Sequence, residues 1–593
     1  TLTSSSPQVT EGDSGDAALV FTITLSEAAD AATVVNYETL TTGTATAGTD
    51  FTAKSGTVTL GIGQTTATVS VTVAGDASFE SGETVKVKFS GANITADVTG
   101  TGTITNDDTD PDTVAQAKTL TTGTDSFTTG SGADTFDAST SGSLDTVDTI
   151  VGGSGADVLT VAIANESIRP SISGVETIKL TAAADTGTID TRDMSDVTNY
   201  DNESSAGNIV LNYVSTIPTV TLNTVAADMT VNLTDAAIAG SADSMTVNTN
   251  NTTGTLTITD GGGTTNELQT VVVNSTSLAS TLTALVTDGV ETSAVTVTGD
   301  ADLTVSSLDA LVATLTSSAF TGDLTLTSDR TLAFTATTGA GADTITSSST
   351  AAQIISTGDG NDSYTGGSTV ADSITLGAGT DSVTIATANL TSVDTIAGGA
   401  GTDSIVLSNN ATVVDADFTL VTGVETVSYG NNTMTLTLGA ASMAAGVVTV
   451  TDGTGAATIT PGAGHTSALT VALSTGNDTV AGTAYTGVLT VTADIDSITT
   501  NDTITGGTGT SDILTITRDG TGDSAIDATD LGAVTAIENF VINGTTVGGE
   551  ITVAEGNVAD GKTLHIDGSS LTTGVLTASA AADNNGIISI TGG

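Results

Sequence analysis

The sequence predicts an all-β protein in two parts: a self-contained set of strands at the start and a long repeating array after it. Three observations carry this. Apolar residues alternate with period two from end to end, as in Val69-Val71-Val73, Met229-Val231-Leu233, Leu256-Ile258, Val295-Val297 and Leu324-Leu326. Mostly Thr stands between them, and its branched Cβ suits a strand while its hydroxyl stays wet. Gly, Asp and Asn cluster between these runs, and the chain holds 68 glycines against 5 prolines, so turns are tight and numerous. Finally, a glycine–aspartate unit recurs as GAGAD at 339–343, GDGND at 358–362 and GAGTD at 377–381. Its aspartates stand 19 residues apart, and each is followed two positions later by Ile345, Tyr364 or Val383. Helical periodicity is confined to 308–315 and 438–445.

Composition narrows the function classes. The chain has 593 residues, no cysteine, ten basic residues and 67 acidic ones, for a formal charge of −57. Disulfides, thiol catalysis and thiolate metal sites are therefore excluded. Nucleic acid is not an expected partner, and an anionic membrane would repel the chain. A hydrophobic content of 38% argues against wholesale disorder, while aromatics at 3% imply thin cores of small side chains. No 18-residue apolar run is present, so no transmembrane segment is expected. Residues 1–20 lack a basic-then-apolar leader, so export without a cleaved signal peptide, or a trimmed start, is expected.

Residues 1–110 form the first unit, closed by TITNDDTDPD, where Asp and Pro suit a linker. Acidic residues gather at its strand ends: Glu11 in VTEGDSG, Asp50 in GTDF, Asp76 in VTVAGD, Glu80 and Glu83 in FESGET, and Asp107 and Asp108 in TITNDD. Such carboxylates repel one another unless a cation neutralises them. The run from VTEGDSG to TITNDD resembles a Calx-β domain over its whole length. The resemblance implies a seven-stranded immunoglobulin-like sandwich with calcium at one end. The ligands it implies are Glu11, Asp50, Asp76, Glu80, Asp107 and Asp108, with Glu83 adjacent.

The remainder divides at 111–200, 201–335, 336–430 and 431–593, and three copies of a two-part marker set this division. DTIVGGSGAD at 148–157 matches DTIAGGAGTD at 394–403 and, with one extra residue, DTITGGTGTSD at 502–512. A second marker follows each: GVETIKL at 174–180, GVETVSY at 423–429 and AIENFVI at 536–542. GGSGADVLT and GGAGTDSIV fit the nonapeptide G-G-x-G-x-D-x-U-x, where U is a large apolar residue. Here the chain resembles calcium-binding β-roll proteins of the RTX type. Coupled to V-E-T strands in a Cys-free, Thr/Ala/Gly-rich array, it is similar to RTX-class bacterial surface-layer proteins. The expected fold is therefore a β-roll or β-solenoid with calcium at Asp134, Asp157, Asp343, Asp362, Asp372, Asp381, Asp403 and Asp512. Glycines would let carbonyls face the ion, and the U residues would stack inward. A coil of two nonapeptides needs about 18 residues. Gln353 interrupts one side of the 339–381 segment, so a one-sided calcium ladder is expected there. The step of 22 from Asp381 to Asp403 is expected to break the register.

An enzyme is not expected. His465 and His565 stand 100 positions apart outside any zinc spacing, and each reads as a surface or turn histidine. No G-x-S-x-G elbow occurs, and the aromatic platforms and basic groups of a sugar-cleaving cleft are scarce. Arg169, Lys179, Arg192, Lys86 and Lys88 read as solvated charge or as contacts to an acidic neighbour or glycan. The function these readings imply is an extracellular, calcium-dependent structural protein on a bacterial cell. It would assemble with copies of itself into a surface layer, sheath or fibre, with a cell-surface polysaccharide as a further partner. The alternatives are a calcium-rigidified RTX adhesin and, behind it, a secreted enzyme with calcium-binding repeats.

Overall fold

A computed structural model describes residues 1–164, 166–259, 268–287, 294–518, 526–544, 550–554, 556–558, 562–571, 576–579 and 586–592. The first hundred residues give eight strand segments: β1 (Leu2–Ser4), β2 (Gln8–Thr10), β3 (Gly15–Leu25), β4 (Thr33–Leu40), β5 (Ser55–Leu60), β6 (Thr66–Gly75), β7 (Glu83–Ser90) and β8 (Val98–Thr105). They form two sheets, β1-β3-β6 and β2-β8-β7-β4-β5. The count departs from seven because the first strand breaks near Pro7, which has no N–H to donate to a ladder. β1 pairs antiparallel with β3 in one sheet, and β2 pairs parallel with β8 in the other. Phe21, Phe89, Leu19, Val71 and Val87 fill the space between the sheets, with the two rings 6.3 Å apart.

After Thr105 the pairing changes completely: every strand pair described in the array is parallel. A sheet of 20 strands and one of 15 run along the array, with shorter sheets of three, six and two. Successive strands alternate between sheets, so each coil lays one strand on each face, as a solenoid does. The inward residues stack in columns. Ile345 pairs with Tyr364, Tyr364 with Val383, Val383 with Ile405 and Ile405 with Val427, and all five are fully buried. The alternation of the sequence is thus the alternation of inside and outside.

Coil length is not fixed at 18. Hydrogen-bonded neighbours in successive coils lie 18 residues apart at Gln116 and Asp134 but 30 apart at Thr505 and Thr535. Nor does the 22-residue step break the register: Ser382 pairs with Ser404, and Asp381 N–H reaches Asp403 at 3.0 Å. The three extra residues are absorbed between strands, where Thr387–Asn389 forms a 3-10 turn.

Of the two helical windows, one forms. Ala440–Ala445 is an α-helix closed by Gly446 at φ 108°. The other is strand Leu303–Leu308, a turn, and strand Thr314–Thr316. His465 is not on the surface: it is buried, with Nε2 2.9 Å from the Val447 carbonyl oxygen and its ring 5.9 Å from Tyr485. His565 is exposed on strand Thr563–Asp567. Two of the arginines find carboxylates within the chain, Arg169 with Asp193 and Arg192 with Asp190, and Lys88 pairs with Asp97.

Candidate metal centre

Glu11, Asp50, Asp76, Glu80, Glu83, Asp107 and Asp108 all lie at one end of the sandwich, because the strands that carry them end or begin there. Glu11 follows β2, and Asp76 and Glu80 follow β6. Glu83 opens β7, and Asp107 and Asp108 follow β8. β6 and β3 meet at this end through the pair Gly15–Gly75, and β7 and β8 through Glu83–Ile104. Asp50 arrives on the turn before Phe51, which bridges to Val73 near the end of β6.

Local hydrogen bonds fix the loops. Thr46 N–H donates to Asp50 Oδ2 at 2.5 Å, Gly12 N–H to Asp107 Oδ1 at 2.9 Å and Ser78 N–H to Asp76 Oδ1 at 2.8 Å. Asn106 joins two loops, accepting Glu80 N–H at 3.1 Å and donating to the Asp108 carbonyl at 3.0 Å. Among the described residues, Asp50, Glu80 and Glu83 form a group of carboxylates whose oxygens lie within 4.8 Å of one another. Glu11 and Asp50 are themselves buried. Glu11 Oε1, Glu83 Oε2 and Asp108 Oδ2 are buried without a partner.

The electrostatics are those of a site short of positive charge. Burial first, then a bond to Asp50 and the charges of Asp50, Glu80 and Glu11, pushes the Glu83 carboxyl up to about 7. Glu11, Glu80 and Asp108 are raised for the same reasons, burial leading and neighbouring carboxylates adding. Oxygen-only ligands, several of them charged, on turns at one end of a rigid sandwich match what calcium requires. The orphaned oxygens fit the ion; a proton on Glu83 is the other way to relieve the crowding.

In the solenoid the repeat aspartates do something first that their spacing did not reveal. Each accepts, on Oδ1, the backbone N–H of its counterpart one coil earlier. Asp343 N–H donates to Asp362 at 2.8 Å, Asp362 to Asp381 at 2.7 Å and Asp134 to Asp157 at 2.7 Å. The ladder thus ties coil to coil inside the turn. The glutamate of each second marker ends a run in the same way. Asp157 N–H donates to Glu176 Oε2 at 2.8 Å, Asp403 to Glu425 at 2.8 Å and Asp512 to Glu538 at 3.0 Å. Sequence reasoning gave these glutamates no role. The available signal was an acidic residue one coil after each aspartate, at intervals of 19, 22 and 26.

Oxygen accounting separates two kinds of aspartate. The first aspartate of each three-fold marker is saturated: Asp148 accepts Asp125 and Asp145 N–H, Asp394 accepts Asp372 and Thr391 N–H, and Asp502 accepts Asp478 and Thr499 N–H. Asp372 is filled by Gln353 N–H and by both donors of Ser368, and Asp512 by Leu489 and Gly507 N–H. By contrast, Oδ2 of Asp134, Asp157, Asp343, Asp362, Asp381 and Asp403 is buried with no partner. Burial pushes the carboxyls of Asp157, Asp343, Asp381 and Asp403 up, and that of Asp362 to about 6. Glycine carbonyls also serve the coil contact, since Gly358 O accepts Ala378 N–H and Gly339 O accepts Asp359 N–H, both at 3.1 Å. A carbonyl has two lone pairs, so each of these two keeps one beyond its coil contact.

Residues 2–109 match the Calx-beta domain family. Three solved structures are similar in this region. One is CBD12 from CALX1.2, at 20% identity and TM-score 0.17, covering 21% of this chain and 50% of that one. Another is the calcium binding domain CBD12 of CALX1.1, at 21% identity and TM-score 0.16, covering 20% and 51%. The third is the apo-form Calx CBD1 domain, at 22% identity and TM-score 0.16, covering 18% and 96%. The chain thus spans about half the length of each CBD12 structure. No curated protein matches it.

Proposed function

From a Calx-beta domain at residues 2–109 with a long parallel β-solenoid behind it, we propose that this is a calcium-dependent extracellular structural protein. It assembles with copies of itself into a surface layer, sheath or fibre on a bacterial cell. One observation carries the reading: seven carboxylates converge at the sandwich end, with orphaned buried oxygens on Glu11, Glu83 and Asp108. Divalent cations relieve that charge directly. Extracellular modules bind calcium at roughly 10⁻⁴–10⁻³ M, so these sites fill outside a cell and stay empty in a cytosol.

The second ingredient is shape. A solenoid of stacked parallel strands, in which each coil packs on its neighbours, is stiff along its axis. Copies carrying a formal charge of −57 approach one another only with counter-ions between them. Calcium at the sandwich and at the orphaned ladder oxygens supplies both rigidity and neutralisation, and a cell-surface polysaccharide is the anchoring partner. No catalytic step is assigned to any residue in this reading.

Electron microscopy of the purified chain, with calcium and after EGTA, tests it. Ordered lattices or fibres with calcium, lost in EGTA and regained on calcium addition, are expected. Monomers indifferent to calcium would overturn the reading. Calcium-stiffened monomers that stay dispersed yet adhere to a target surface would favour the adhesin instead.

A further inference from the structure

On the outer face of the 20-stranded sheet, Asp190, Asn212, Asn232 and Thr259 stand side by side across four successive strands. Their side chains form a relay. Asn232 Nδ2 donates to Asn212 Oδ1 at 2.5 Å, and Thr259 Oγ1 donates to Asn232 Oδ1 at 2.5 Å. In this relay both amide oxygens act as acceptors.

Beside this column the strand is deliberately irregular. Register shifts between Leu211 and Val214, and Tyr213 at the shift has φ 62°. A bulky residue in the left-handed region costs roughly 1–2 kcal/mol, and here the cost is not recovered by burying the ring. Tyr213 is 48% exposed. Arg192 lies with its guanidinium carbon 4.3 Å from the ring centroid, held in place by Asp190. The ring is thus pinned on one face by an Arg–Asp pair whose charges cancel.

A cavity of about 470 Å³ adjoins this ring, lined by Tyr213, Asn212, Asn232, Thr234, Asp235 and Thr259 among others. Arg192 is not in its wall. An exposed aromatic face, carboxamide donors and a rim carboxylate offer an apolar platform beside paired donors and acceptors. A pyranose ring presents the complement: an apolar C–H face with hydroxyls around its edge. A phosphate or uronate meets Asp235 and the field of a −57 chain instead.

We propose that this concavity is a carbohydrate site that takes one neutral pyranose unit of a glycan, with Tyr213 as the stacking platform and Asn212, Asn232 and Asp235 reading its hydroxyls. It deepens the surface-protein reading, resting on it only for the source of the glycan.

The test is titration of the full chain with cellohexaose, maltohexaose and chitohexaose, read by calorimetry and saturation-transfer NMR, in calcium and in EGTA. At least one of the three is expected to bind with Kd near or below about 1 mM, as one shallow subsite allows. Tyr213→Gly is expected to weaken that binding about tenfold or more, the loss of one stacked ring. Its thermal unfolding should hold or rise, because glycine accepts φ 62° without strain. Tyr213→Phe keeps the ring and should bind within about twofold of the parent chain. Failure of all three sugars to bind the parent chain, or full binding by Tyr213→Gly, overturns the proposal. Binding that persists in EGTA while lattices dissolve leaves the sugar site standing and separates it from calcium-driven assembly.

Discussion

Glu83 carries two opposed effects. Its carboxyl is held near 7, above its ordinary 4.5, by burial and by Asp50, Glu80 and Glu11. Folding therefore favours its protonated form. Without a cation, this contribution to stability is fully present below about pH 4.5 and is lost as pH rises through about 7. Calcium inverts the preference, because only the carboxylate ligates. Thermal unfolding in EGTA should thus show the sandwich weakening between about pH 5 and about pH 8, and in millimolar calcium that fall should flatten or reverse. Glu83→Gln separates the two effects: it should raise the melting temperature in EGTA at pH 8 and weaken calcium binding about tenfold by calorimetry. A variant less stable in EGTA and unchanged in calcium affinity would remove Glu83 from the site.

At the scale of the element, the aspartate ladder and the glycine columns beside it make different predictions. Asp362 Oδ1 is the acceptor for Asp343 N–H. Asp362→Ala strands that buried donor, at a cost of about 1–3 kcal/mol by denaturant unfolding. Asp362→Asn keeps the acceptor and removes the charge. It should match or exceed the parent's stability in EGTA and lose part of the gain in calcium. Equal calcium gains in the parent and in Asp362→Asn would reduce the ladder to a coil-to-coil tie with no ion. Gly358→Ala faces a harder obstacle. Gly358 sits at φ 91°, and a Cβ there would lie 2.0 Å from the Gly339 carbonyl oxygen, so a loss of about 2–4 kcal/mol is expected. Gly430→Ala, where a Cβ meets nothing within 4 Å, is the control and should be nearly neutral.

These elements also show what was legible in advance. Inward columns such as Ile345, Tyr364 and Val383 were readable because period two is local and needs no knowledge of the coil. The roles of Glu176, Glu425 and Glu538 were not, because the bond each makes crosses a coil whose length varies. The 308–315 window failed for a sharper reason. Leu308, Leu311, Val312 and Leu315 have helical spacing, yet Leu308, Val312 and Leu315 are buried around a turn between strands while Leu311 is exposed. The sandwich carboxylates were legible as a set through the Calx-β resemblance, but the close approach of Glu83 to Asp50 and Glu80 is a product of folding.

For the whole molecule the governing facts are charge and one-dimensional order. Few of the acidic groups have a basic partner: the ion pairs of the described residues are Lys88–Asp97, Arg169–Asp193 and Arg192–Asp190. Salt at about 1 M shortens the screening length to about 3 Å and should relieve general repulsion, yet it should not replace calcium at the sandwich end. Scattering and melting curves in EGTA with about 1 M NaCl should therefore recover only part of the calcium effect. Each coil contacts mainly its neighbours, so coils are exchangeable parts. Removal of 363–381, one 19-residue coil bounded by the pair Ser363–Ser382, should leave a folded chain with the same strand signature by circular dichroism. Collapse of the entire array on that deletion would contradict nearest-neighbour stacking.

The loop that absorbs three extra residues between Asp381 and Asp403 has a metrical consequence. Strand spacing fixes the advance per coil at about 4.8 Å, whatever the number of residues the coil contains. The 20-stranded sheet is then roughly 90 Å long. The molecule is graduated like a ruler: insertions widen its girth and leave the divisions alone, and only a gain or loss of whole turns changes the distance it measures out.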